Sequence, residues 1–301
     1  MIRINVDAGH GSNTSGKRTP PLPVNVDFDG DGVADVLKGN TIKEHFANVQ
    51  IAVLLVAELK RCGFEVSKTG FDDANAGNDA DVSISGRQKA IKAAGCDYSV
   101  SIHFNAYGNG KTFNSAEGVS VYIHSSYPKD SRKMAGKILN QLVMGTKQKN
   151  RGVQSANLGI CNCKVMNTKA AILVESAFMT NLNEAVNMMG KKKYWEETAV
   201  EIAKGICEYT GVTYVKKPTG SKAAVIYKVQ AGSYGSQTEA NKAAEQLKKK
   251  GFKEMYVHSA KVSGKTVYRV QLGIFSTKEN ADKMLARAKA AGFSKAFIQK
   301  A

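Results

Sequence analysis

The sequence has no stretch approaching the ~20 apolar residues that a membrane-spanning helix needs, which excludes a helical membrane protein and sets aside a membrane as partner. Its start, Met1-Ile-Arg-Ile-Asn-Val-Asp7, alternates like a strand and lacks the basic and apolar regions and cleavage site of an export signal. The expectation is a chain made in the cytoplasm without a signal peptide. Cysteine is scarce: Cys62, Cys96, Cys161, Cys163 and Cys207 are odd in number and without framework spacing, which argues for reduced thiols. Cys161-x-Cys163 also lacks the C-x-x-C spacing of a structural zinc site. Acidic residues are outnumbered, 26 against 43 Lys and Arg. The excess is concentrated in residues 222–301, where sixteen basic residues face five acidic ones. Such a field attracts polyanions without choosing among nucleic acid, anionic membrane and acidic wall polymer.

What is present is a globular composition, 43% hydrophobic and 23% charged, over 301 residues, enough for two domains. A helical stretch from Tyr194 to Tyr209 ends at Gly211, and Lys216-Lys-Pro-Thr-Gly-Ser-Lys222 has breakers and charge but no apolar period. This places one domain at 1–210, a linker at 211–223 and a second domain at 224–301. The second repeats itself, Tyr227-Lys-Val-Gln-Ala-Gly-Ser-Tyr234 returning as Tyr268-Arg-Val-Gln-Leu-Gly-Ile-Phe275. Each copy continues into a helix starting near Thr238 or Thr277, a Gly-Phe pair and another strand. Two copies joined by a turn at Ser263-Gly264 make a small α+β, ferredoxin-like βαββαβ unit with one sheet face free to bind.

The first 210 residues alternate short strands and helices, the pattern of an α/β domain with a mostly parallel sheet flanked by helices. Three strands end in ionisable groups: Ile2–Val6 before His10, Tyr98–Ile102 before His103, and Ala170–Val174 before Glu175. Open parallel sheets place ligands at the carboxyl ends of their strands, so these groups can converge. Glu44, in the first turn of a helix expected from Thr41 onward, joins them. Two imidazoles and one carboxylate with an open position suit catalytic zinc, and a fourth, unligated carboxylate suits a general base. In this scheme His10, Glu44 and His103 hold zinc and Glu175 takes the proton from attacking water. Gly9 and Gly11 would let backbone and substrate approach. No H-E-x-x-H is present, so spacing alone leaves these histidines open to an ordinary hydrogen-bonded role. His45 reads as a helix-surface residue, His258 as a strand residue and His124 as undecided.

The segments Val6-Asp-Ala-Gly-His10-Gly, Glu44 with Asn48, Ser101-Ile-His103-Phe-Asn105-Ala and Leu173-Val-Glu175-Ser-Ala-Phe178 resemble, in order and spacing, the N-acetylmuramoyl-L-alanine amidases. The resemblance covers residues 1–208. It implies zinc on His10, Glu44 and His103, Glu175 as catalytic carboxylate, and as substrate the amide between the lactyl group of N-acetylmuramic acid and L-alanine of peptidoglycan. Arg87, Gly118-Val-Ser-Val-Tyr-Ile123 and Phe178-Met-Thr-Asn181 agree with the family without assigning a role. Arg87 can be read as a partner for a substrate carboxylate or as a helix-capping or solvated residue, and Asn105 as orienting a ligand from behind.

The segment Pro20–Asn40 is longer than the family's usual link. It contains Asp27, Asp29, Asp31 and Asp35 at calcium-loop positions one, three, five and nine, with Gly32 at six. Lys38 stands at position twelve where the bidentate Glu belongs, so the loop reads either as a calcium site or as an acidic surface turn. The tail resembles a sporulation-related repeat (SPOR) domain over residues 225–300. This implies binding to glycan strands stripped of stem peptides on the open sheet face, with Gln230, Tyr234, Gln271 and Phe275 as candidates, or else Tyr and Phe in the core. An RNA-recognition domain shares the topology, but Thr266–Ile274 lacks its aromatic signature. The remaining rivals are a zinc peptidase or deacetylase acting on another amide and a wall-binding protein without activity. A cytoplasmic product that cuts the wall implies release by lysis or another route, as for a phage endolysin or a sporulation autolysin.

Overall fold

Ile4, Val6 and Ala8 are buried, and so are Asn5 and Asp7 between them. Strand β1 (Arg3–Ala8) therefore has no solvent face, as an interior strand of a sheet covered on both sides requires. The computed structural model describes all residues except Pro128, 218–225, Glu254, 263–264 and Ala301. Its chain forms two compact units: Met1–Pro20, Ile42–Asp72 and Asp79–Thr219 make the first, and Pro21–Thr41, Asp73–Asn78 and Gly220–Ala301 the second. Two stretches inside the expected domain 1–210 thus group with the C-terminal part. Ser263-Gly264 and most of the residues just before 224 lie outside the described residues.

In the first unit β1 is followed by α1 (Glu44–Arg61), β2 (Glu65–Thr69), α2 (Ile84–Ala93), β3 (Tyr98–Asn105), β4 (Val119–His124), α3 (Lys129–Thr146), β5 (Asn150–Ala156), α4 (Cys163–Met166), β6 (Ala170–Phe178), α5 (Leu182–Glu184) and α6 (Lys192–Thr210). The six strands run in the order β2-β1-β3-β6-β4-β5, all neighbours parallel except β4 against β6. This is the mostly parallel α/β sheet expected from the alternation of elements. Helices α1, α3 and α6 pack together and on the sheet. Ala171 and Leu173 of β6 turn toward a separate apolar cluster with Ile91 of α2 and Met166 of α4. α6 ends on Gly211, whose φ of 74° is the left-handed C-terminal cap that glycine supplies without steric cost. The register places His103 beside Glu175, so the ends of β3 and β6 share one edge.

In the second unit β7 (Tyr227–Tyr234), α7 (Gln237–Lys249), β8 (Tyr256–Val262), β9 (Lys265–Phe275), α8 (Lys278–Ala290) and β10 (Phe297–Lys300) form an antiparallel sheet in the order β10-β7-β9-β8. This is the βαββαβ pattern. α7 starts on a capping box of Ser236 and Glu239, two residues before the expected Thr238, and Thr277 caps α8. Val229, Ala231, Val270 and Leu272 bury one sheet face with Ala240, Leu247, Ala281 and Ala288 of the two helices.

Candidate metal centre

The three residues expected to hold a metal come from three elements. His10 lies just past β1, Glu44 opens α1, and His103 lies near the end of β3. One ligand atom from each lies within 4.8 Å of the others. Glu44 sits between the rings, its Oε1 3.0 Å from His103 Nδ1 and its Oε2 3.2 Å from His10 Nε2. The imidazoles meet edge to face at 4.9 Å. Burial alone would push the Glu44 carboxyl up, but hydrogen bonds and charge from both histidines hold it well below the usual carboxylate range. Burial likewise pulls His103 down, and Glu44 outweighs it and raises the imidazole above its ordinary value.

Glu175, opposite His103 in the register, makes no such contacts. Its Oε2 is buried without a hydrogen-bond partner, and burial pushes the carboxyl up to about 7. Glu44 Oε2 is likewise buried, with the His10 ring nitrogen beside it at 3.2 Å. Buried polar oxygens without donors are costly, and a cation beside them removes that cost. Two imidazole nitrogens and a carboxylate are also a donor set suited to zinc, so the residues present fit the metal.

The sequence profile of the N-acetylmuramoyl-L-alanine amidase family matches residues 4–208, and that of the SPOR domain matches residues 223–300. The chain belongs to the N-acetylmuramoyl-L-alanine amidase family. It is similar to the N-acetylmuramoyl-L-alanine amidase CwlM of Bacillus licheniformis, 25% identical over 86% of this chain and 85% of that one. It is similar also to the sporulation-specific N-acetylmuramoyl-L-alanine amidase of Bacillus subtilis, 26% identical over 84% and 83%. Its fold matches the crystal structure of an amidase from Clostridium difficile 630 with a TM-score of 0.53, covering 70% of this chain and 97% of that one at 23% identity. The chain is accordingly a wall amidase acting on peptidoglycan, in a family that is generally zinc-dependent. No helix among its described residues is long and apolar enough to cross a membrane.

The surroundings of the candidate metal residues in this amidase depart from the sequence reading at several points. His45 is buried rather than on the helix surface: its Nδ1 meets the Gly9 carbonyl at 2.8 Å and its Nε2 meets Asp79. Asn48 donates to the same carbonyl. Both residues stand on the sheet-facing side of α1, which the i, i+3 spacing with the apolar stripe would have allowed. Arg87 is neither solvated nor free for substrate. It is 2% exposed, and its guanidinium donates to Asp7, Asp81 and the carbonyls of Ala8, His10 and Val82. It thereby holds His10, whose φ of 64° is uncommon for a residue with a side chain. Gly9 and Gly11 leave room that their own neighbours fill. A Cβ on Gly9 would stand 2.1 Å from the His103 ring, and one on Gly11 would stand 2.3 Å from the Asp81 backbone. The Asn105 side-chain oxygen accepts from Ala106 N–H, and no hydrogen bond among the described residues joins it to the metal set.

The tail candidates divide. Gln230 and Gln271 do lie on the face away from α7 and α8, and Gln230 Nε2 donates to Gln271 at 3.2 Å, but both are fully buried. Phe275 is in the apolar core and Tyr234 packs against it. The reason is a register shift between β7 and β9, where Val229 pairs Gly273 but Gln230 pairs Gln271. That shift reverses the alternation beyond Gly273 and turns Phe275 inward. In the acidic loop, Asp27, Asp29 and Asp35 bring carboxylate oxygens within 4.8 Å of one another. The Lys228 ammonium stands among them, 2.9 Å from Asp29, 3.3 Å from Asp35 and 3.5 Å from Asp31.

Proposed function

We propose that His10, Glu44 and His103 hold zinc and that Glu175 is the general base in hydrolysis of the amide between the lactyl group of N-acetylmuramic acid and L-alanine. The observation that carries this is the closure of two imidazoles on one buried carboxylate beside a second carboxylate, Glu175, whose buried Oε2 has no hydrogen-bond partner. Zinc, when bound, polarises a carbonyl and lowers the pKa of water from ~15.7 toward ~7. The chain supplies the rest. Glu44 fixes both imidazoles, Arg87, His45 and Asn48 fix the Gly9-His10 backbone, and Glu175 offers an oxygen whose proton affinity near neutrality suits a general base. The expected outcome for Glu175→Gln is retained zinc with at least ~100-fold slower hydrolysis, whereas His10→Ala loses metal first. Near-normal hydrolysis by Glu175→Gln overturns the mechanism.

Residues 1–210 are proposed as the catalytic domain, 211–223 as linker and 224–301 as a peptidoglycan-binding domain that takes glycan strands stripped of stem peptides. The excess of basic residues in 222–301 supports a further attraction to anionic wall polymers. Calcium at Asp27, Asp29, Asp31 and Asp35 is a second reading of the acidic loop, favoured by the closeness of three of its carboxylates. Two of these three carboxylates, Asp29 and Asp35, also hold Lys228, so ion and ammonium are alternatives at that place. Calorimetric titration of the intact chain with calcium tests it, and a flat titration removes calcium from the account.

A further inference from the structure

A sheet with helices on one side keeps its other face for a ligand only if that face reaches solvent. On the second unit's sheet the face away from α7 and α8 carries Lys228 and Gln230 from β7, His258 from β8 and Gln271 from β9, and none is more than 4% exposed. The residues that meet Lys228 are Asp29, Asp31 and Asp35, all from Pro21–Thr41, a segment of the same unit closed on itself by the bridge between Val26 and Val36. Asp31 also acts through its charge on Arg269 of β9. The segment has an apolar side, with Leu22, Val26, Phe28, Val36 and Leu37 buried.

The fit is good at one point and poor at others. Lys228 has three carboxylates, while Gln230 Oε1, Gln271 Nε2 and His258 Nδ1 are buried with no hydrogen-bond partner. Buried polar atoms left unpaired cost free energy that a permanent partner would have removed. A carbohydrate, whose hydroxyl and acetamido groups both donate and accept, offers partners to an acceptor, a donor and an imidazole nitrogen on one sheet face.

We propose that the acidic segment Pro21–Thr41 is a displaceable cover over the polar sheet face, and that glycan strands of peptidoglycan bind this face by exchanging with it. The proposal rests on the reading of residues 224–301 as a glycan-binding domain. It makes Lys228 the latch, because its ion pairs are what the segment loses when it lifts.

The test uses the full chain and the variant Asp29→Asn/Asp31→Asn, whose side chains are partly exposed and which leaves Asp35 to cap Phe28 N–H. Glu117→Gln/Asp130→Asn, on the exposed surface of the first unit, gives the same change of charge as a control. Binding to peptide-free glycan strands is read by co-sedimentation, and accessibility of His258 by site-resolved modification with diethylpyrocarbonate. The expected result is at least tenfold tighter glycan binding and faster His258 modification in Asp29→Asn/Asp31→Asn, with neither in the control. Equal His258 reactivity and equal glycan affinity in variant and wild type overturn the cover while leaving the glycan reading in place. Faster His258 modification with no glycan bound by any chain overturns the glycan reading, and with it the exchange.

Discussion

Arg87 offers the sharpest test of how the His10 segment is supported. Its guanidinium and the Asp7 carboxylate are 2% and 1% exposed and 2.7 Å apart, and Asp7 also accepts from Thr69 and Ser101. Removing one partner of such a pair leaves an uncompensated buried charge and costs about 3–5 kcal/mol. Arg87→Ala also strips the donors from the Ala8 and His10 carbonyls, so the loss is expected at the upper end of that range. With a urea slope of about 2 kcal/mol per molar, the unfolding midpoint falls by roughly 1.5–2.5 M. Arg87→Lys is not expected to rescue it, because a single ammonium cannot span the two carboxylates and three carbonyls that the planar fork reaches. The assay is urea denaturation of the first unit within the intact chain, followed by tryptophan fluorescence of Trp195 on α6. A midpoint shift below about 0.5 M, or full rescue by lysine, refutes the argument that this cation is the buried clamp of the His10 segment.

Two further outcomes follow from close packing and from burial. Gly9→Ala puts a methyl where the His103 ring lies, so zinc affinity is expected to fall by roughly 10–100-fold, the scale of disturbed ligand support. Competition with a chelating dye reads this, and unchanged affinity contradicts the packing role. His258 is held neutral by burial and by the positive charges of Lys228 and Arg269, which pull its pKa to about 4. A depressed folded pKa leaves its contribution intact above about 6.5 and loses it as pH falls toward 4. At pH 4.5 the second unit is expected to lose roughly 2.5 kcal/mol through this group, with Asp29, Asp31 and Asp35 as its other charged surroundings through Lys228. His258→Gln should lack that part of the acid sensitivity in paired denaturation curves at pH 7 and 4.5, and identical pH dependence in both chains counts against it.

The convergence of His10, His103 and Glu175 was readable in the sequence because a physical rule links distant positions: parallel strands present their carboxyl ends at one edge, and each of the three follows such a strand. The α/β sheet and the repeated βαββαβ unit were readable for the same kind of reason, since alternation and internal repetition are local signals. What was not readable depends on tertiary placement. Nothing local tells that His45 turns to the Gly9 carbonyl, or that Arg87 threads between Asp7 and His10 instead of meeting solvent or substrate. Phe275 stood as a binding candidate or a core residue, and the register shift next to Gly273 that turns it inward is set by pairing with β7 rather than by its own strand. The acidic loop was read for calcium because its spacing is local, whereas the ammonium that stands in it comes from Lys228, 197 residues beyond Asp31.

The central claim is that this chain cuts the amide to L-alanine with zinc on His10, Glu44 and His103. Purified peptidoglycan digested with and without a chelator, with new N-terminal alanine scored against new reducing sugar by mass spectrometry, tests it most directly. The account predicts free L-alanine termini that vanish on chelation and return with added zinc. New reducing sugar, a different new amino terminus, or cleavage indifferent to the chelator would contradict it.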